Sequence, residues 1–224
     1  MRQFEPSSDY SHVVMDEYRT IKAAANAEFI EKRSRFIGHI MPLSDETAAA
    51  EFINRIKKEH WDARHNVYAY SLKEGNLRRY SDDGEPKGTA GVPVLDVLVK
   101  ENLVDCALVV TRYFGGVLLG AGGLLRAYSH TAKLAVDSGG IVTMKRCALL
   151  LMTVDYSQYD VAQKLLEHSE CTVKNAEFGV GVDISFSLEN SKKDEFEIKL
   201  RDTFSGSVSL KEIGTEYAPF PQKP

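Results

Sequence analysis

Two arginines and a run of glycines carry the strongest chemical signal in this chain. Residues 106–128 read CALVVTRYFGGVLLGAGGLLRAY, with Gly115, Gly116, Gly120, Gly122 and Gly123 inside nine residues and Arg112 and Arg126 on either side. An apolar strand, a glycine loop and a helix in that order present backbone N–H groups to an anion. Glycine there admits positive φ and lets a ligand approach the main chain, and arginine adds charge-assisted hydrogen bonds to phosphate or carboxylate. Two plainer accounts use the same residues. The glycines can serve only a tight turn and a close helix–sheet contact, and the arginines can pair permanently with acids and pin the loop. The standard nucleotide loops do not fit. A Walker loop needs Lys then Ser or Thr after its last glycine, where this chain has Leu124-Leu125. A Rossmann fingerprint starting at Gly120 needs a glycine at position 125, which is Leu125.

Further polar residues cluster in three short stretches. His65-Asn66 opens a strand pattern, and a lone histidine there is either a hydrogen-bonding anchor or an acid–base group. SDDGEPKGTAG at 81–91 brings Ser81, Asp82, Asp83 and Glu85 together. Paired carboxylates can hold a cation or move protons, but DDG is also an ordinary turn whose side chains bond nearby N–H groups. Its spacing is not that of an EF-hand. Ser81, followed by two acids, is a poor acyl-transfer nucleophile because the acids would repel an oxyanion, and no GxSxG occurs. SRFIG at 34–38 supplies Arg35. One site is expected from these stretches: an anion-binding surface on the 114–123 loop, flanked by Arg112 and Arg126. Arg35, His65, Asn66, Ser81, Asp82, Asp83 and Glu85 are expected nearby. No catalytic residue, metal or cofactor is assigned.

The elements that must position these residues follow from hydrophobic period and turn chemistry. AEFIEKR and RFIGHIMPL alternate as a strand pair, Ser44 or Asp45 caps a helix carrying Ala49, Phe52, Ile53 and Ile56, and HNVYAYSL reads as a strand turning through KEGN into LRRYS. VPVLDVLVKE is a short helix, and the glycine loop leads into a helix with Leu124, Tyr128, Thr131 and Ala135 on one face, stopped by Ser138-Gly139-Gly140. From about residue 145 the pattern restarts as βαββαβ: CALLLMTV, a helix with Val161, Leu165 and Leu166 inward, the strands CTVKNAEFG and VGVDISFSL, a helix with Phe196, Leu200 and Phe204, and SGSVSLKEIG. That order is the ferredoxin-like arrangement. The expected division is a loose leader over 1–17, a first domain over 18–144 and a second over 145–224.

Bulk properties narrow the function classes. The 224 residues carry 28 Lys and Arg against 32 Asp and Glu, a net −4, so no global field draws nucleic acid. Ten of the twelve arginines nonetheless precede residue 145. Cys106, Cys147 and Cys171 form no CxxC pair, and their apolar surroundings predict reduced thiols in a cytoplasmic protein. MRQFEPSSDY has no apolar signal core, and the longest apolar run is broken by Arg112 and glycines, so no membrane association is expected.

HNVYAY, RRYSDDGEPKGTAGVPVLDVL, VVTRYFGGVLLGAGGLLRAY and SRFIG together resemble the signature segments of the IMPACT/YigZ family. The likeness is close over about residues 18–140, and the βαββαβ tail is similar to the second domain of the bacterial YigZ branch, which looks like a domain of elongation factor G. The resemblance implies an α+β protein whose first domain is of the ribosomal-protein and GHMP-kinase type, with a left-handed βαβ crossover, followed by a ferredoxin-like domain. Kinase activity is not implied, since LGAGGLLRAY lacks the serines of the GHMP phosphate loop. Eukaryotic members are linked to translational control by competing for an activator of an initiation-factor kinase. The expectation is a translation-associated binding protein that contacts RNA, ribosome-linked factors or a protein partner. The alternative is an enzyme acting on a small phosphorylated or anionic ligand at the glycine loop.

Overall fold

The computed structural model describes residues 16–221. Residues 1–15 of the expected leader lie outside them, and Glu17 already opens the first strand. The chain is α+β and divides into two compact units, Tyr18–Met144 and Lys145–Ala218.

In the first unit, β2 (Ala25–Glu31), β3 (Ser34–Pro42), β4 (His65–Ser71), β5 (Arg78–Ser81) and β6 (Cys106–Tyr113) form a sheet of order β2-β3-β6-β4-β5. Every neighbouring pair is antiparallel. β3 and β4 therefore run parallel on either side of β6, joined by α1 (Glu46–Glu59). β1 (Glu17–Ile21) precedes this sheet. β6 is central and its alternate residues face opposite ways. Ala107 and Val109 pack with Phe52, Ile53 and Ile56 of α1. Cys106, Leu108 and Val110 pack with α2 (Gly91–Lys100) and α3 (Gly120–Gly139).

Local chemistry sets the ends of these helices. Asp45 accepts the Ala48 N–H at 2.8 Å and caps α1. α3 lies close against the sheet because it presents Ala127, Thr131, Ala132 and Ala135, and because β3 offers a glycine. A Cβ at Gly38 would stand 2.9 Å from both Ala135 Cβ and Thr131 O.

The second unit runs β7 (Ile141–Val154), α4 (Tyr159–His168), β8 (Thr172–Phe178), β9 (Val182–Glu189), α5 (Lys193–Phe204) and β10 (Leu210–Pro221). Its strand order, β10-β7-β9-β8, is the ferredoxin-like one. Ala148, Leu150, Met152 and Val154 alternate into a core with Leu166, Ile184, Phe186, Phe196, Leu200 and Phe204.

β7 is continuous through residues 143–146, where one unit gives way to the other in sequence. Two expectations shift here. Val161 is 46% exposed, whereas Ala162 and Leu166 are buried, so the inward face of α4 is turned by one residue. The last strand starts at Leu210, because residues 205–207 close α5 instead: Ser205 adopts a left-handed φ of 51°, and the Gly206 N–H bonds to Arg201 O at 3.0 Å. Among the described residues no helix is long and apolar enough to cross a membrane.

Candidate functional site

The site is built on the β6 face that carries Cys106, Leu108 and Val110, because Arg112 is next in that alternation. Arg112 is 5% exposed. Its Nη1 donates to Glu85 Oε1 at 2.6 Å, and the hydroxyl of Tyr128, two turns into α3, donates to the same oxygen at 2.8 Å. Burial, then the Glu85 carboxylate, raises the Tyr128 phenol far above its ordinary range, so it remains a donor. The guanidinium also lies over the rings of Phe36 and Phe114, 5.4 and 5.6 Å from their centroids. Its Nη2 reaches Ser34 Oγ at 3.5 Å, while Nε is buried with no partner among the described residues.

His65 enters from β4 on the same face. Its Nδ1 lies 2.8 Å from the Asp83 carbonyl oxygen. A carbonyl only accepts, so Nδ1 carries the proton and Nε2 is left toward Glu85, 3.8 Å from Oε1.

The loop acids hold the scaffold. Asp82 accepts the N–H groups of Gly88, Ala90 and Gly91 at 2.9, 3.2 and 2.8 Å, organising the 82–91 loop and the start of α2. Asp83, at φ 44°, bonds Lys57 Nζ and the Asn66 N–H, each at 2.7 Å. Ser81 Oγ accepts the Asp83 N–H at 3.2 Å. These carboxylates are consumed by backbone and by lysine, the turn chemistry that DDG permits.

Two expected members fall on the opposite face. Asn66 follows His65 in a strand and so points toward α1, where its Oδ1 accepts from Thr111 Oγ1 at 2.7 Å. Arg35 is the cross-strand partner of Tyr113, not of Arg112, and is exposed, paired with Glu28 at 2.8 Å. Arg126 is exposed on α3 and has no side-chain partner among the described residues. Arg112 and Arg126 thus do not act as a matched pair: one is locked inside and the other stands in solvent.

The glycines differ in role. Gly115 is seated on the β2–β3 hairpin: a Cβ there would lie 2.0 Å from the Arg33 carbonyl carbon, and its N–H bonds Ser34 Oγ at 3.2 Å. Gly116 and Gly120 take φ of 80° and 70° with open space where a side chain would be. Gly122 and Gly123 lie in the first turn of α3, where no side chain caps the helix among the described residues.

Several participants were not foreseen. Tyr128 stands eight residues after Gly120, the i+4 spacing that runs through Leu124. Arg64 over Phe114 (6.0 Å) and the hairpin residue Arg33 lie outside the motifs, so only their approach to the loop reveals them.

A model of the Impact N-terminal domain matches residues 32–136, and a domain of unknown function (DUF1949) matches residues 152–207. IMPACT family member YvyE of Bacillus subtilis is 38% identical over 200 residues, covering 89% of this chain and 92% of that protein. IMPACT family member YigZ of Escherichia coli is 34% identical, covering 80% and 89%. The Protein IMPACT homolog of Dictyostelium discoideum is 35% identical over 48% of this chain but only 31% of its own length. A crystal structure described as that of a hypothetical protein superposes with a TM-score of 0.57 at 30% identity, covering 90% of this chain and 99% of that one. Residues 32–136 take in Glu85, Arg112 and Tyr128, and the likeness extends through both units: the chain belongs to the IMPACT family.

Proposed function

We propose that this chain is a regulatory binding protein of translation whose first unit contacts RNA, alone or on the ribosome, through the surface around the glycine loop. One observation carries the reading. The β2–β3 hairpin turns through Lys32 and Arg33, both left-handed at φ 44° and 65°. Such a two-residue turn favours Asn-Gly, and each residue with a Cβ costs roughly 1–2 kcal/mol in that conformation. Two cations at the tip, against the seat of Gly115, indicate a surface kept for its charge. Arg64 and Arg126 extend the cationic surface, and Phe114, 42% exposed, offers a ring on which a base can stack. Because the chain is net acidic, attraction for RNA has to come from a local patch such as this one.

The test is titration of the full chain with a single-stranded RNA oligonucleotide and with purified ribosomes over a salt series. The double variant Lys32→Asn, Arg33→Gly should weaken binding. It should also reduce the slope of log affinity against log salt by about 1.4, the value for two lost phosphate contacts. Its fold should be at least as stable as the parent. Binding that is absent at low salt, or unchanged in the variant, would sink the proposal.

A further inference from the structure

Beside the cationic surface, and sharing Arg64 and Phe114 with it, lies a pocket of about 460 Å³. Its volume falls within the small-molecule range. Phe114, Leu118 and Leu124 provide apolar lining, and Arg64, His65 and Arg112 provide polar lining. Gly120 and Ala121 bring the start of α3 into the same wall.

Two elements that line it carry unsatisfied groups among the described residues. The first turn of the twenty-residue α3 has no side-chain cap among the described residues: Leu119 precedes it and has nothing to accept with. Arg112, well over nine-tenths buried, keeps its Nε–H without an acceptor, which a folded protein rarely tolerates. Glu85 also lines the pocket, and its charge is balanced by Arg112, which with Tyr128 bonds its Oε1.

We propose that this pocket binds a small organic phosphate. The phosphate sits at the first turn of α3 within reach of Arg64 and Arg112, and the apolar body lies against Phe114, Leu118 and Leu124. Phosphate suits the site because its three terminal oxygens can engage helix N–H groups and side-chain donors together.

The experiment is calorimetric titration of the full chain with phenyl phosphate and, separately, with inorganic phosphate. Phenyl phosphate should bind at one site, about tenfold or more tighter than inorganic phosphate, because the ring buries apolar surface. Leu118→Asp should weaken it by at least about tenfold by placing a negative charge at the pocket. Leu118 is 83% exposed, so the core is undisturbed. Leu125→Asp, on an exposed residue outside the pocket lining, should leave binding unchanged, as should Lys32→Asn, Arg33→Gly. The inference is overturned if phenyl phosphate does not bind, if it binds no better than inorganic phosphate, or if Leu118→Asp and Leu125→Asp weaken it equally. Failure of RNA binding leaves all these outcomes readable.

Discussion

Arg112 and Arg35 sit on adjacent strands of one sheet, yet they face opposite sides and live by different rules. Each pairs with a glutamate at hydrogen-bond distance, 2.6 Å to Glu85 and 2.8 Å to Glu28. The side chains of the first pair are 6% and 3% exposed, and those of the second 51% and 42%. Water screens the outer pair, so its two charges scarcely need each other. The inner pair has no water to fall back on. Losing either partner strands a charge. Identical chemistry thus becomes architecture on one face of the sheet and surface decoration on the other.

That contrast is broken most directly by Glu85→Gln, which leaves the Arg112 charge buried and unpaired. Urea unfolding should show a loss of about 3–5 kcal/mol. The double variant Arg112→Met, Glu85→Leu should lose less than either single change. A single variant of unaltered stability would mean that Arg112 finds water or another acceptor.

A smaller effect belongs to the α1 face. His39 is buried there, its Nδ1 3.0 Å from Asn26 Oδ1, near His60 and Arg55. Burial, reinforced by those neighbours, lowers it from 6.5 to about 4. The unfolded chain therefore takes up a proton that the folded one refuses between about 6.5 and 4. Stability from this group is complete above that window and falls as pH drops through it, at a slope approaching about 1.4 kcal/mol per pH unit. Subtracting the profile of His39→Gln from that of the parent should isolate this slope, and parallel profiles would refute it.

The smallest effect is expected from Arg35→Ala, whose unfolding midpoint should match the parent within error. A clear loss would show that the outer pair is structural after all.

The layout of both units was legible in the sequence because period and turn residues speak locally. Strand, glycine loop and helix follow in the expected order, although α3 begins at Gly120 and takes in the last four residues of the expected 114–123 loop, and the βαββαβ restart reads off the tail. The face of α4 misleads because Val161 catches the eye while the buried Ala162 is too small to register as core. The constellation of the site was half legible. Glu85, His65 and Arg112 do converge, but strand parity alone separates Asn66 from His65, and register with Tyr113 sends Arg35 across the sheet. The partnership of Tyr128 with Glu85 joins residues 43 apart, and no local pattern encodes it.

Gly115 carries a consequence for inheritance. With the Arg33 main chain 2.0 Å from where its Cβ would be, even alanine must push two backbone segments apart. Its neighbour Gly116 faces open space, but its φ of 80° makes most replacements strained rather than impossible. Descendants of this sequence can therefore drift at 116 at some cost, while position 115 is closed to them. The hairpin carrying Lys32 and Arg33 and the loop entering α3 must pass down the generations as one piece, since neither can be reshaped without the other.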